Sequence, residues 1–348
     1  MTTQDAVPAR ASETPIVPAR ARAVPRLALL LLIAIAAALF ALTIGAAGLS
    51  PAEVLSAFTG TADATTRTIV LELRLPRIAL AFVAGGGLAL AGAVFQAVLR
   101  NPLAEPYVLG VAGGAAVGAV AAVVFGLAVI PGLVQVAALA GATGAMLLVL
   151  RIALRVGRAL DTRVLLLAGV VVGAFFNAVI LLLLMMADVE SFRSAVFWMM
   201  GSVAGASWRT TLLLALYVVP SVLVLLALAR PLNLLAIGEE TALFLGARVE
   251  RVKLLAYLVA SLLVAAAVAA CGIIGFIGLI VPHALRLAWG SDHRLLLPAA
   301  LLGGGTFLLL ADTAARTIAA PAELPVGVIT ALVGVPIFVL LLRRSPAP

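Results

Sequence analysis

The side chains that could do chemistry in this chain are few and scattered. One cysteine (Cys271), two histidines (His283 and His293) and one lysine (Lys253) are the whole stock of their kinds. A structural metal or a protein-held haem needs several such ligands close together, so no bound metal is expected, and a lone cysteine excludes a disulfide within the chain. Lys253 follows Arg251 and Val252 with no glycine-rich loop before it. Hydrolysing a nucleotide would need that lysine behind a glycine cradle for the phosphates, so no ATP hydrolysis by this chain is expected. Carriers that couple to protons or sodium place carboxylates inside apolar segments. Here Asp161, Asp188, Glu190, Asp292, Asp312 and Glu323 fall at or beyond segment ends. An intramembrane enzyme is also disfavoured, because no His, Cys or carboxylate cluster shares one segment.

The elements that hold these residues are apolar runs. The composition is 64% hydrophobic and 11% charged, too little polar surface to cover a soluble globule of this length. A bilayer-crossing helix needs roughly 20 mostly apolar residues, and ten runs qualify: Leu27 to Ala47, Ile78 to Leu99, Tyr107 to Ile130, Leu133 to Leu154, Val164 to Met186, Leu212 to Ala229, Leu254 to Cys271, Ile273 to Trp289, Leu295 to Ala311 and Pro325 to Leu342. The fold class is therefore an all-α integral membrane bundle of ten helices over residues 27–344. Alternation from a cytoplasmic N-terminus puts inside all of the 23 Lys and Arg residues except Arg67, Arg74, Arg77, Arg193, Arg209 and Arg316. Cationic loops stay cytoplasmic, so both termini are expected inside. The formal charge of +8 then reports membrane orientation and not a nucleic-acid partner. Residues 1–26, rich in Pro, Ala and Arg, read as a disordered cytoplasmic tail. Glycines recur every fourth residue at Gly110, Gly114 and Gly118, and at Gly169 and Gly173, a spacing that lets helix backbones approach closely in lipid.

Four polar constellations interrupt this pattern. Leu73-Arg74-Leu75-Pro76-Arg77 opens the second span, with Pro76 suited to a first helical turn and two outward arginines that either anchor to lipid headgroups or dock an acidic partner. Arg100 to Tyr107, with Asn101, Pro102 and Pro106, forces a reversal between spans two and three. In the block 231–253, Gly238 to Gly246 reads as a short helix with Glu239 and Glu240 in its first turn and Gly246 ending it; Leu243, Phe244 and Leu245 on it need either the membrane interface or a partner's groove. Gly275 to Arg286 carries Pro282, which shortens the eighth span, and His283, read as a structural hydrogen-bonder. Gln96 and Asn177, the main amides within spans, are each read as interhelical hydrogen-bonders ahead of substrate contacts. Asp312 and Arg316 have the spacing of a helical ion pair.

Taken together, the segments LRLPR, the glycine-rich span ending in Gln96, RNPLAEPYVLG, Trp198 to Gly201, GEETALFLGA, GFIGLIVPHALR, DHRLLLP, LLLADTAAR and ELPVGVITALVGVPIF resemble the iron-siderophore, haem and cobalamin permease family of ABC importers, in family order from the first span to the C-terminus. The resemblance implies a ten-helix permease in a bacterial inner membrane, paired with a second copy or a paralogue, with spans two to five and seven to ten as opposed halves. Two ABC ATPase subunits, which hold the ATP and Mg, would dock inside, and an extracytoplasmic substrate-binding protein outside. No cofactor is implied for this chain.

Residue by residue, Arg74, Arg77 and Arg316 resemble arginines that receive glutamates of the binding protein. Gly238, Glu239, Glu240, Ala242, Leu243, Leu245 and Gly246 resemble the coupling helix seated on the ATPase. Thr162 and Arg163 match the cytoplasmic gate, although Arg163 departs from the small hydroxyl residues usual there. Gln96, Asn101, Pro102, Pro106, Pro282 and His283 belong to the signature segments. The implied activity is uptake of an iron chelate by alternating access at a dimer interface, ferric siderophore first, haem or cobalamin next. The alternative is an ion-coupled secondary transporter.

Overall fold

The computed structural model describes residues 19–45, 47–157 and 160–344, and within them all regular structure is helical. In chain order the helices are α1 (Ala19–Thr43), α2 (Pro51–Thr59), α3 (Ala64–Arg67), α4 (Leu75–Val98), α5 (Val111–Val124), α6 (Leu133–Val156), α7 (Thr162–Met185), α8 (Val189–Met199), α9 (Trp208–Ala227), α10 (Ala229–Ile237), α11 (Glu239–Phe244), α12 (Val249–Cys271), α13 (Ile277–Trp289), α14 (His293–Ala315) and α15 (Val326–Arg344). Seven of the described helices are long and apolar enough to cross a membrane, and the shorter apolar helices α5, α13 and α15 bring the set to the ten expected. Polar side chains start several of them: Asp161, Asp188, Ser207 and Asp292 accept backbone N–H groups at the N-termini of α7, α8, α9 and α14, meeting donors that a helix leaves unpaired at its start.

Burial separates the centre from the rim. In α4, α12 and α14 the apolar window is 83%, 67% and 61% buried, against 22% in α1 and 28% in each of α6, α7 and α9. Glycine makes close helix contacts possible both at the centre and between α5 and α6. A Cβ on Gly85 would strike the carbonyl of Gly304, one on Gly92 the carbonyl of Gly278, and one on Gly118 the carbonyl of Ala137. Close backbone approach of this kind is how helices associate where lipid removes the hydrophobic drive.

Several boundaries differ from expectation. The first helix begins at Ala19, so Ala19 to Arg26 are helical, and the rest of the proposed tail, 1–18, lies outside the described residues. Arg26 stabilises that extension by lying 5.7 Å over the Trp289 ring. The second span starts not near Ile78 but at Ala64: α3, a π-helical stretch Thr68–Arg74 and α4 form one continuous helix to Val98. Pro76 lacks an N–H and crowds the preceding turn, and the wider π turns accommodate it. Three helices were not foreseen, α2, α8 and α10, which lie in gaps between spans.

The short spans α5 and α13, of 14 and 13 residues, each follow a lead-in that is not α-helical and runs inside the bundle, a single 3-10 turn at Pro106–Leu109 ahead of α5. Gly110, ahead of α5, rests against Gly169 and Val172 within α7. The stretch ahead of α13 turns at Gly272 and at Phe276, whose φ is 69°. Irregular backbone is tolerated at membrane depth only where protein covers it. The two lead-ins occupy corresponding places in the opposed halves that the resemblance implies.

Candidate functional site

At the α2 end of the bundle the three arginines of interest point inward. Arg74 is buried and donates to the carbonyls of Leu42 and Ala47. Arg316 is buried and donates to the carbonyl of Ala41 at 2.6 Å. Both therefore meet the unpaired carbonyls at and just beyond the C-terminus of α1, where cations are favourable. Arg77 binds Asp312 through Nε and Nη2, at 2.9 and 2.8 Å, and Glu323 through Nη1 at 2.9 Å. The expected Asp312–Arg316 ion pair is thus replaced: Asp312 pairs with Arg77 across α4 and α14, because the guanidinium of Arg316 is drawn to α1. The picture of three free outward guanidiniums also changes, since all three are already partnered within the chain. They rim a hollow of about 370 Å³ together with Gly45, Ala204 and Glu323.

The interior seam joins two signature segments. Pro282 lies inside α13, so the carbonyl of Gly278, four residues earlier, loses its helical donor. Gln96 on α4 supplies the replacement, its Nε2 donating to the carbonyls of Gly278 and Leu279 at 3.3 Å each. Its Oε1 accepts from Arg286 Nη1 at 2.8 Å. Gln96 is thereby satisfied at both ends, as the interhelical reading expects. Asn177 differs, lying exposed on α7. Glu105 and Tyr107 clasp the start of α13: Phe276 N–H donates to Glu105 Oε1 at 2.8 Å, Ile274 N–H donates to the Tyr107 hydroxyl at 2.9 Å, and that hydroxyl donates to the Ile274 carbonyl. Pro106 is buried against Gly278. Asn101 Oδ1 accepts from Leu103 N–H at 2.9 Å, folding the turn, while Pro102 is exposed. His283 is buried and meets Phe338 edge-on, ring centroids 6.2 Å apart.

At the α11 end, a hollow of about 610 Å³ gathers Arg100, Thr162, Arg163, Glu239, Glu250 and Lys253. Helix α11 is bounded by two glycines in conformations other residues resist, Gly238 at φ 145° and Gly246 at φ 81°, and Gly246 and Ala247 donate back to the carbonyls of Leu243 and Ala242 at 2.9 Å, a glycine-terminated helix end as expected. Ala242 faces inward and is buried, whereas Leu243, Phe244 and Leu245 are 58%, 89% and 62% exposed. Glu239 binds Lys253 at 3.0 Å and Arg100 at 3.1 Å, and Lys253 also reaches Glu250 at 3.3 Å. Glu240 is exposed. Thr162 is buried and Arg163 exposed, at the start of α7, which Asp161 caps.

The structure therefore brings Thr162, Arg163, Gly238, Glu239, Glu240 and Leu243 around one hollow. It adds Arg100, Glu250 and Lys253 there, and Glu105, Tyr107 and Arg286 along the seam, none of which was singled out as a site residue. For Lys253 a signal existed, since a sole lysine in a chain whose other fixed cations are arginine stands apart.

The FecCD transport family matches residues 30–344. The chain is 49% identical over 279 residues to the cobalamin import system permease protein BtuC of Halobacterium salinarum, an alignment covering 80% of this chain and 74% of that one. It is 42% identical over 330 residues to the hemin transport system permease protein HmuU of Yersinia pestis, covering 93% and 97%. A solved structure described as an inward-facing conformation of a metal-chelate type ABC transporter superposes with a TM-score of 0.83 at 34% identity, covering 92% of this chain and 99% of that one.

Proposed function

This chain belongs to the FecCD transport family, and from that premise we propose that it is the membrane-spanning permease subunit of an ATP-driven importer for a bulky metal chelate. The observation that carries the proposal is α11: a short helix bounded by two glycines, apolar on its exposed side, on a chain with no phosphate-binding loop of its own. Such a face suits the groove of a separate ATPase subunit. In this reading the α11 end is cytoplasmic, which the arginine distribution favours, both termini lie inside, and the membrane is the bacterial inner membrane. Closure of two ATPases pushes α11, the bundles of two permease copies tilt, and access shifts from one side to the other. ATP and Mg²⁺ stay with the partner, and no bond in the cargo changes.

The named relatives move the choice of cargo. Ferric siderophore was the first expectation, but the relatives at 49% and 42% identity are named for cobalamin and hemin. A tetrapyrrole-type chelate is therefore the proposed substrate class, with ferric siderophore behind it. A soluble binding protein is proposed to dock at the α2 end over the rim of Arg77 and Glu323, the buried Arg74 and Arg316 shaping the surface beneath. An ion-coupled carrier gains no support: Asp312, expected beyond its span, is instead buried within α14, but there it is held by Arg77.

The test is reconstitution of the permease with its ATPase and binding protein in proteoliposomes, offering labelled cobalamin, haemin and a ferric siderophore in turn. Uptake of one of them that requires ATP and ignores ionophores is the expected result. Uptake that persists without ATP and stops when the ion gradient is dissipated would hand the function to the carrier alternative.

A further inference from the structure

Five ion pairs occur among the described residues; two share Arg77, and the other three form one lattice around Lys253. Its links can be followed atom by atom. Arg100 Nη2 meets Glu239 Oε1 at 3.1 Å, Glu239 Oε2 meets Lys253 Nζ at 3.0 Å, and Lys253 Nζ meets Glu250 Oε1 at 3.3 Å. Glu250 Oε2 then accepts the backbone N–H of Leu160 at 2.8 Å. Each carboxylate thus spends its two oxygens on two different segments. The path joins the turn after α4, helix α11, the first turns of α12 and the segment leading to Thr162 and Arg163.

We infer that this lattice is the transmission through which displacement of α11 reaches the two loops beside it, with Lys253 as its positioning residue. The inference rests on the permease reading, since that reading supplies the force on α11.

Three observations carry it. First, little else fastens α11: its ends have no side-chain cap, and of its own residues only Ala242 is buried. The charged links are its principal side-chain attachments, so what moves the helix must pull on them. Second, the node is a lysine buried to 2% exposure, the one lysine among 23 Lys and Arg residues. A buried ion pair is a poor way to gain stability alone. An ammonium on a four-carbon stem can shift its bonds between two carboxylates, whereas a planar guanidinium locks one geometry. Third, Arg100 holds a φ of 48°, in the left-handed turn that ends α4, where Asn101 N–H donates to the Gln96 carbonyl at 3.1 Å. Glycine would fill that position without strain. The side chain present is instead the one that reaches Glu239.

The test uses the full-length permease co-expressed with its ATPase in nanodiscs. Spin labels are placed at Leu103→Cys and Val156→Cys in a Cys271→Ser background, and ATP with vanadate is the probe. The parent protein is expected to show a nucleotide-dependent change in the label-to-label distance. Lys253→Met and Glu250→Gln are expected to lose that change while ATP hydrolysis continues. Arg100→Gly is expected to lose it with thermal stability unchanged or raised, and Arg100→Lys to retain it; a purely structural role would not separate these readouts. An unaltered distance change in Arg100→Gly and in either lattice variant would overturn the inference. Should Lys253→Met fail to fold, the Arg100 pair decides alone. If the parent complex hydrolyses ATP but its labels do not move, the transmission falls while the permease reading stands; if it neither binds its ATPase nor responds to nucleotide, the permease reading falls and takes the transmission with it.

Discussion

The two ends of this molecule use the same residue types for opposite purposes. At the α2 end, guanidiniums finish mainly on backbone carbonyls of α1 and on the bidentate Asp312, so most of the bonds join long helices, with Ala47 and Glu323 adding bonds from the adjoining loops. Helix α2 is itself fully capped: Ser50 and Glu53 exchange reciprocal hydrogen bonds, Pro51 occupies the first turn and Gly60 closes the end. At the α11 end, two of the three ion pairs finish on a six-residue helix without side-chain caps, next to an open hollow. The contrast teaches that charge count does not identify a working part. What the charges are attached to does. A pair between two fixed bodies is a clamp, and a pair on a short, loosely held helix is a link.

The comparison breaks most readily at Asp312. Removing one partner of a buried pair costs up to about 3–5 kcal/mol, and here it leaves Arg77 with only the half-exposed Glu323. Asp312→Ala is therefore expected to lower the thermal stability of the purified permease sharply, read by a melting curve in detergent, while the coupling of any surviving complex is kept. A variant that melts normally but loses coupling would make the α2 end a link as well. Ser50→Ala should cost about 1 kcal/mol, confined to α2 and visible as faster amide exchange there; exchange spreading into α4 would show that α2 is part of the clamp. Glu323→Gln is expected to cost only about 0–1 kcal/mol, because that carboxylate is 44% exposed and exposed pairs are weak. A larger loss would move Glu323 to the load-carrying side of the comparison.

The smallest effect is one of pH. Hydrogen bonds from Ser50 hold the Glu53 carboxyl below its ordinary range. A lowered acid contributes fully above its unfolded value, about 4.3, and loses that contribution as pH falls through the folded value. Amide exchange in α2, taken relative to the unprotected rate at each pH, should therefore stay flat from neutral pH down to mild acid and rise only below it. A rise near neutral pH would point to another group.

Much of the architecture was legible beforehand because it rests on local pattern. Ten apolar runs gave ten apolar helices, the glycine spacing in α5 met α6, and Gly246 ended α11 as its position after Leu245 suggested. Partner choice across the bundle was not legible. Arg316 lies four residues from Asp312, yet proximity in space to the end of α1 outweighs that spacing. The clasp of Glu105 and Tyr107 on the start of α13 joins residues some 170 apart, and only the meeting of two broken spans reveals it. The long continuous second helix escaped notice because Pro76 is an ordinary helix starter unless a π turn precedes it. In the α11 hollow the glycines and acids were readable, while Arg100, Glu250 and Lys253 become a group only through folding.

The bond from Gln96 to the carbonyl that Pro282 deprives has a consequence for biogenesis. Ribosomes deliver the second span long before the eighth, so through most of synthesis Gln96 waits without its carbonyls, and α13 then enters the bilayer with a gap in its own ladder that only that amide can fill. A chain cut between the halves would leave α13 without that donor, while Gln96 would keep only its contact with the Ala104 carbonyl.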